Sequence, residues 1–101
     1  MTSKERAALK GLAMTMEPVV WIGKGSLTPE VTVAIREALD ARELIKVSVL
    51  QNCVDDPHVL AQVAAERTGS EVVQVIGKKI VLYKYDPEKH KDDNRKRTRK
   101  A

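Results

Sequence analysis

Two glycines and a lysine lie close together in the segment Gly23–Ser26, between a short apolar stretch and the start of a helix. Glycine lets the backbone approach an anion closely, and Lys24 adds a mobile positive charge. Thr28 offers a capping hydroxyl and Pro29 suits the first helical position, so a helix is predicted to begin there. The N-terminus of a helix presents free N–H groups and the positive end of its dipole. The pattern therefore predicts a phosphate-binding site made of Gly23, Lys24, Gly25, Ser26 and Thr28.

A glycine loop of this length could bind the phosphates of a nucleotide, of a dinucleotide or of a nucleic-acid backbone. A nucleotide-binding P-loop requires G-x-x-x-x-G-K-[ST], whereas Lys24 precedes the second glycine here. A dinucleotide fingerprint G-x-G-x-x-G would require glycine where Thr28 stands. A short glycine clamp on a nucleic-acid backbone, like the GXXG loop of KH modules, fits the spacing better. A tight turn that binds nothing remains the structural alternative.

The positive charge is concentrated at the C-terminus. Residues 1–85 carry 11 Lys and Arg against 10 Asp and Glu, whereas residues 86–101 carry 7 against 4. We therefore predict one folded domain, residues 1–85, followed by a basic and disordered tail, residues 86–101. Basic arms bind polyphosphate through counterion release, although a tail that only aids solubility is the alternative. The tail cations expected to contact RNA are Arg95, Lys96, Arg97, Arg99 and Lys100.

The residues needed for catalysis or for a metal site are scarce. Cys53 is the single cysteine, and His58 and His90 are the only histidines. This set has no zinc-ligand spacing, and Cys53 is expected to be a small buried side chain. We therefore predict no enzymatic activity, no metal and no cofactor. No apolar run reaches the roughly 20 residues of a membrane span, and the charged start resembles no signal peptide, so a cytoplasmic protein is expected.

The aromatic residues are also few, namely Trp21, Tyr83 and Tyr85. Proteins that stack RNA bases on a sheet usually have interleaved aromatic residues, and this sequence does not. We expect Trp21 to lie in the core or at its rim, and the two tyrosines to be packing residues. An RNA ligand would then be bound by its backbone and shape, with little reading of sequence.

The order of predicted elements indicates an α/β fold. Thr2 and Glu5 form a capping-box pattern for a first helix, which Pro18 is expected to stop. Apolar strands and capped helices then alternate, Gly69 is expected to end the third helix, and the final hairpin turns at Gly77-Lys78. We predict a two-layer α/β sandwich of α-β-α-β-α-β-β order with a four-stranded mixed sheet.

A right-handed crossover would place the ends of the first two strands at one edge of the sheet, and if the third strand is also parallel, the hairpin turn at Gly77-Lys78 reaches the same edge. Lys24, Lys78 and Lys79 would then form one basic rim beside the second helix. Asp55 and Asp56 open the third helix on the same side, where they can act as caps for its N–H groups.

Three separated motifs resemble the CRM domain family (chloroplast RNA splicing and ribosome maturation), in its bacterial stand-alone, YhbY-like form. They are PVVWIGKGSLT, ALDARELIKV and ERTGSEVVQVIGKKIVLYK, and the likeness covers about residues 2–85. The resemblance implies a fold similar to the C-terminal domain of translation initiation factor 3, a four-stranded sheet with helices. That agrees with the element order derived from the residues themselves.

The resemblance also implies RNA binding and, for bacterial members, association with precursors of the large ribosomal subunit. The GxxG loop of the family falls on Gly23–Ser26, with Ser26 in place of the last glycine. We expect Ser26 to avoid conformations open only to glycine, or Gly25 to adopt them. The ELIKV motif makes Lys46 either an RNA contact or a structural partner of Glu43.

The expected partner is structured RNA, ribosomal RNA in large-subunit precursors, bound by a monomer away from membranes. The alternative is a protein-interaction module, in which the edge of the last hairpin docks on a ribosome-associated partner.

Overall fold

The computed structural model describes residues 1–90, with three helices around a four-stranded sheet. In chain order the elements are α1 (Ser3–Ala13), β1 (Val20–Ile22), α2 (Pro29–Arg42), β2 (Leu44–Val49), α3 (Pro57–Thr68), β3 (Glu71–Ile76), β4 (Lys79–Tyr83) and a short 3₁₀ turn (Pro87–His90). The predicted α/β fold and its element order are confirmed. Arg95, Lys96, Arg97, Arg99 and Lys100 lie outside the described residues.

Local capping explains where the helices begin. Thr2 Oγ1 accepts from the Glu5 N–H at 3.1 Å, while the Glu5 carboxylate accepts from the Thr2 N–H at 3.2 Å. Thr28 Oγ1 accepts from the Val31 N–H at 3.1 Å, and Asp56 caps α3. Each side chain occupies an N–H group that the helix itself leaves without a partner.

The sequence predicted the end of α3 correctly but the end of α1 wrongly. Gly69 ends α3 in the left-handed conformation, with φ 68° and ψ 32°, as expected. By contrast, α1 ends at Ala13, well before the proline that was expected to stop it. Its last turn tightens, since the Met14 N–H donates to the Gly11 carbonyl. The segment that follows crosses to the edge of the sheet, where the Val19 N–H donates to the Lys46 carbonyl at 2.9 Å.

The sheet has the order β1-β2-β4-β3, with β1 parallel to β2 and the other two pairs antiparallel. Strands β1, β2 and β3 therefore run in one direction and end at the same edge, which we call the loop edge. The turn at Gly77-Lys78 lies there too, because the Lys78 carbonyl accepts from the Val49 N–H at 2.7 Å. Gly77 has φ 55°, as a hairpin turn with glycine at its first central position requires. The structure confirms the predicted placement of the turn.

The core has two parts on opposite faces of the sheet. The larger part packs α2 and α3 against one face, around Ile22, Ile35, Leu39, Ile45 and Leu82. The smaller part packs α1 against the other face, where Ala13 is buried with Val73 and Val81. The sheet with α2 and α3 thus forms the two-layer body, and α1 covers only part of the second face. The rest of that second face, which we call the open face, lies toward the loop edge.

Candidate nucleic-acid interface

The glycine segment forms a tight turn at the loop edge. The Ser26 N–H donates to the Gly23 carbonyl at 2.9 Å, which closes the turn, and Lys24 at its tip is exposed. The Thr28 hydroxyl oxygen caps α2 and thereby fixes the helix N-terminus directly after the turn. Turn, exposed ammonium and helix N-terminus thus lie together, as the sequence predicted. Thr28 contributes chiefly by positioning, because its oxygen already accepts a hydrogen bond.

Ser26 has a positive φ of 60°, whereas Gly25 does not. Ser26 itself is therefore the left-handed residue of the turn, in a region that residues with a Cβ atom adopt only uncommonly. The fourth residue of the turn is left-handed, and this chain places a side chain there at a cost in backbone strain. Gly25 meets a different demand, since a Cβ atom on it would lie 3.0 Å from Cγ2 of Thr28.

The loop after β2 supports the turn from the side. The Leu50 N–H donates to the Ile22 carbonyl at 2.8 Å. A Cβ atom on Gly23 would lie 3.6 Å from Oδ1 of Asn52 and 3.6 Å from Cδ1 of Leu50. Gly23 is thus held against this loop, and a methyl group would make ordinary contacts there.

An acidic residue also lies close to the loop edge. Asp56 accepts from the backbone N–H of His58 at 2.8 Å, and this bond lowers the pKa of the Asp56 carboxyl. The carboxylate therefore stays charged at neutral pH, and it faces the positive end of the α3 dipole. That position offsets part of its repulsion of a phosphate.

Arg67 is a cation near the turn that the sequence analysis did not single out. Its guanidinium donates to the Leu27 carbonyl at 3.2 Å, and its own carbonyl accepts from Arg36 at 3.0 Å. With Gly25, Ser26 and Asp55 it lines a shallow cavity of about 280 Å³. Only the packing of α2 on α3 brings Arg67 here, so no local pattern in the sequence could have identified it.

The remaining lysines divide into two groups. Lys78 is exposed in the hairpin turn at the loop edge, separated from the end of β1 by one intervening strand. Two strand spacings amount to roughly 10 Å. The ammonium group of Lys79 instead donates a hydrogen bond to the hydroxyl of Ser48, on the neighbouring strand β2, at 3.2 Å. Lys46 and Lys79 both line a groove between α1 and the sheet, while the Glu43 carboxylate accepts from the Asp86 N–H at 2.8 Å.

The structure thus brings Lys24 and Lys78 to one edge and Lys46 and Lys79 to the open face. The sequence placed Lys79 in the rim with the first pair, whereas its side chain belongs with the second.

The aromatic residues differ in their surroundings. Tyr83 is half-buried against α1, as expected of a packing residue, and burial raises the pKa of its hydroxyl. Tyr85 lies beyond β4 and is 52% exposed, so the same expectation was wrong for it. Trp21 is 53% exposed, between the buried residues Val20 and Ile22. It therefore lies on the open face, at the rim of the core. Cys53 is buried, as the sequence predicted.

Residues 1–90 contain neither a cluster of metal ligands nor a helix that could span a membrane. No group of three His, Cys, Asp or Glu side chains there could hold a metal ion. No helix in this part of the chain is long and apolar enough to cross a membrane.

A mixed four-stranded sheet, with a glycine turn between its first strand and second helix, defines a small α/β domain of one recognisable class. The model of the CRS1 / YhbY (CRM) domain family matches residues 1–84. The chain belongs to this family, so the resemblance found in the sequence is confirmed.

Individual relatives agree with this assignment. The chain is 43% identical over 88 residues to the Bacillus subtilis protein named "Probable RNA-binding protein YqeI", covering 87% of this chain and 92% of that protein. It is 36% identical to a Haemophilus influenzae protein named "RNA-binding protein", covering 83% and 85%. The solution structure of SAV1595 from Staphylococcus aureus superposes with a TM-score of 0.74 at 44% identity, covering 85% of this chain and 90% of that one.

Proposed function

We propose that this chain binds structured RNA, and that its target is ribosomal RNA in precursors of the large ribosomal subunit. It acts in the cytoplasm as a monomeric, non-catalytic protein. The observation that carries the proposal is the meeting of three features at the loop edge: the Gly23–Ser26 turn, the N-terminus of α2 and the hairpin turn with Lys78. The names of the relatives support RNA as the ligand.

The geometry suits a grip on the RNA backbone. A phosphate can approach the N-terminus of α2 closely because Gly25 carries no side chain beside Thr28, and the helix dipole of α2 favours the negative charge. Lys24 and Lys78 are exposed, and neither is in an ion pair within the part of the chain that the structure describes. Each can therefore replace counterions on a phosphate without first breaking a salt bridge.

Reversing the charge at the tip of the turn tests the main contact. Lys24→Glu should weaken binding to a structured ribosomal RNA fragment by about 1 kcal/mol or more, because at least one phosphate contact is lost. Lys4→Glu is the matched control, since Lys4 is equally exposed but lies on α1. Fluorescence anisotropy at low salt measures both affinities. Equal affinity of wild type and Lys24→Glu, with the fold intact, would remove the turn from the interface.

A double-mutant cycle tests whether Lys24 and Lys78 contact one RNA segment. If they do, the loss in Lys24→Ala with Lys78→Ala should differ from the sum of the single losses. Strictly additive losses would mean that the two lysines act on separate segments. The narrower proposal, that the RNA belongs to large-subunit precursors, is tested by crosslinking the chain within ribosomal particles and sequencing the attached RNA.

A further inference from the structure

The open face carries a row of four residues, one from each strand, near the loop edge. Trp21 pairs in register with Ser48, Ser48 with Lys79, and Lys79 with Ile76. Residues paired in this way point to the same face of a sheet. Trp21 is 53% exposed and Ile76 60% exposed, because α1 ends before it reaches them. A large aromatic ring and an ammonium group therefore lie on one uncovered surface.

Beside this row, a groove of about 640 Å³ runs between α1 and the sheet. Its floor and walls are mostly apolar and include Met14, Ile76 and Val81. Three lysines, Lys10, Lys46 and Lys79, also line it, and within residues 1–90 no carboxylate does. The surface thus combines an apolar lining with an excess of positive charge.

The apolar lining and the positive charge of the groove together indicate which ligand it would bind. A groove lined by three lysines favours a polyanion, whereas its apolar lining and the exposed indole favour a planar, poorly hydrated group. An unpaired nucleotide of RNA supplies both, with phosphates for the lysines and a base for the ring and the groove. Trp21 lies only two residues before Gly23, so one RNA strand can continue from the glycine turn onto the open face.

We propose that the open face binds unpaired nucleotides next to the structured RNA held at the loop edge. Trp21 stacks on a base, and Lys46 and Lys79 contact the flanking phosphates. This inference rests on the proposed function, because it extends the same RNA contact. It also makes Trp21 a binding residue, where the sequence alone indicated a core or rim position.

Trp21 is the only tryptophan in the chain, so its fluorescence reports directly on this site. Three RNAs serve as probes for the full chain. All contain the same hairpin, which has either a short oligouridine extension, an abasic extension of equal length, or no extension. Stacking should quench Trp21 strongly only with the oligouridine extension, since the abasic one has the same phosphates without bases.

Binding of the labelled RNAs separates stacking from charge. Trp21→Leu should weaken binding to the oligouridine-extended hairpin by roughly five-fold or more, and should leave binding of the other two unchanged. Trp21→Phe keeps a ring and should recover part of the loss. Lys79→Gln should weaken the oligouridine and abasic extensions alike. Val33→Ala removes exposed apolar surface from α2 and is the control that should change none of the affinities.

The possible results distinguish this inference from the proposed function. If the wild type binds all three RNAs equally and Lys24→Glu weakens all three, the RNA-binding function stands and the stacking site is overturned. Equal losses with base-bearing and abasic extensions in Trp21→Leu would overturn it as well. If the wild type binds none of the RNAs, both proposals fail. Quenching by anionic phospholipid vesicles but by no RNA would assign the open face to a membrane surface instead.

Discussion

At the scale of single residues, the glycine turn shows a conflict between sequence and backbone. Ser26 has φ 60°, a region in which residues with a Cβ atom are strained. The fold keeps this conformation because the Ser26 N–H closes the turn on the Gly23 carbonyl and the Ser26 carbonyl accepts from the Thr28 N–H at 3.0 Å. The position therefore holds strain that a glycine would relieve.

Ser26→Gly should raise the free energy of unfolding by about 1 kcal/mol, because glycine adopts a positive φ without steric cost. Urea unfolding of the two proteins measures the difference. The reciprocal control is Gly69→Ser at the end of α3, where φ is 68°. That change should lower the free energy of unfolding by about 1 kcal/mol. A Ser26→Gly protein no more stable than the wild type would mean that the serine side chain offsets its own strain.

The sequence predicted the parts of this turn that depend on local chemistry. Thr28 and Pro29 identified the start of α2, and the two glycines identified the turn. The left-handed conformation of Ser26 could not be predicted from the sequence, because the backbone follows the closure of the turn and not the preference of one residue. Arg67 was missed since it reaches Leu27 from a different helix, 40 residues away in sequence.

At the scale of elements, α1 decides which part of the second sheet face stays open. The Arg6 guanidinium donates to the carbonyls of Val72 at 2.7 Å and Val73 at 3.0 Å. These residues lie at a shift in register between β3 and β4, where regular strand pairing is interrupted. Arg6 therefore ties the helix to the irregular part of β3. It also occupies backbone acceptors of the edge strand on which a protein partner could otherwise dock.

Arg6→Ala should lower the free energy of unfolding by about 1.5–3 kcal/mol, because two carbonyls lose a charged donor in a partly buried setting. Urea unfolding measures the loss, and Lys4→Ala, on an exposed position of the same helix, is the control. The amide hydrogens of β3 should also exchange faster with solvent in Arg6→Ala, since the anchor of α1 on that strand is lost. A variant as stable as Lys4→Ala would show that the apolar contacts of α1 are sufficient.

Caps and turns made the elements predictable, but the position of α1 was not. Its capping box fixes the first turn, but apolar and polar residues alternate poorly along strands such as β2. Nothing in these patterns tells which face a short helix will cover or how far along it will reach. That outcome depends on the packing of Ala13 against Val73 and Val81, which are both far from Ala13 in the sequence.

At the scale of the whole molecule, residues 1–85 and residues 86–101 differ in their net charge. The body is nearly neutral, and its exposed lysines at the loop edge and on the open face owe their grouping to the fold. Five cations stand within residues 95–100 of the sequence, without an apolar residue among them. We therefore predict that the body selects an RNA by shape and that the tail contributes phosphate contacts to any RNA.

Replacing Arg95, Lys96, Arg97, Arg99 and Lys100 together by serine should weaken binding to every RNA by a similar factor. The physical reason is counterion release: each lost phosphate contact reduces the slope of log affinity against log salt by about 0.9 on a duplex. Binding measured over a series of salt concentrations, with one preferred and one unrelated RNA, gives both the slope and the preference. The slope should become shallower while the ratio of the two affinities stays the same.

The matched control for this variant is a chain in which residues 91–101 of the tail are scrambled. This change keeps the composition and charge of the segment and alters only the order of its residues. The scrambled chain should bind both RNAs as the wild type does, since a segment that acts through charge alone has no positions that must be kept. If the scrambled tail instead lowered the preference for one RNA over the other, the order of its residues would matter. The tail would then take part in choosing the target, and selection by the folded body alone would be disproved.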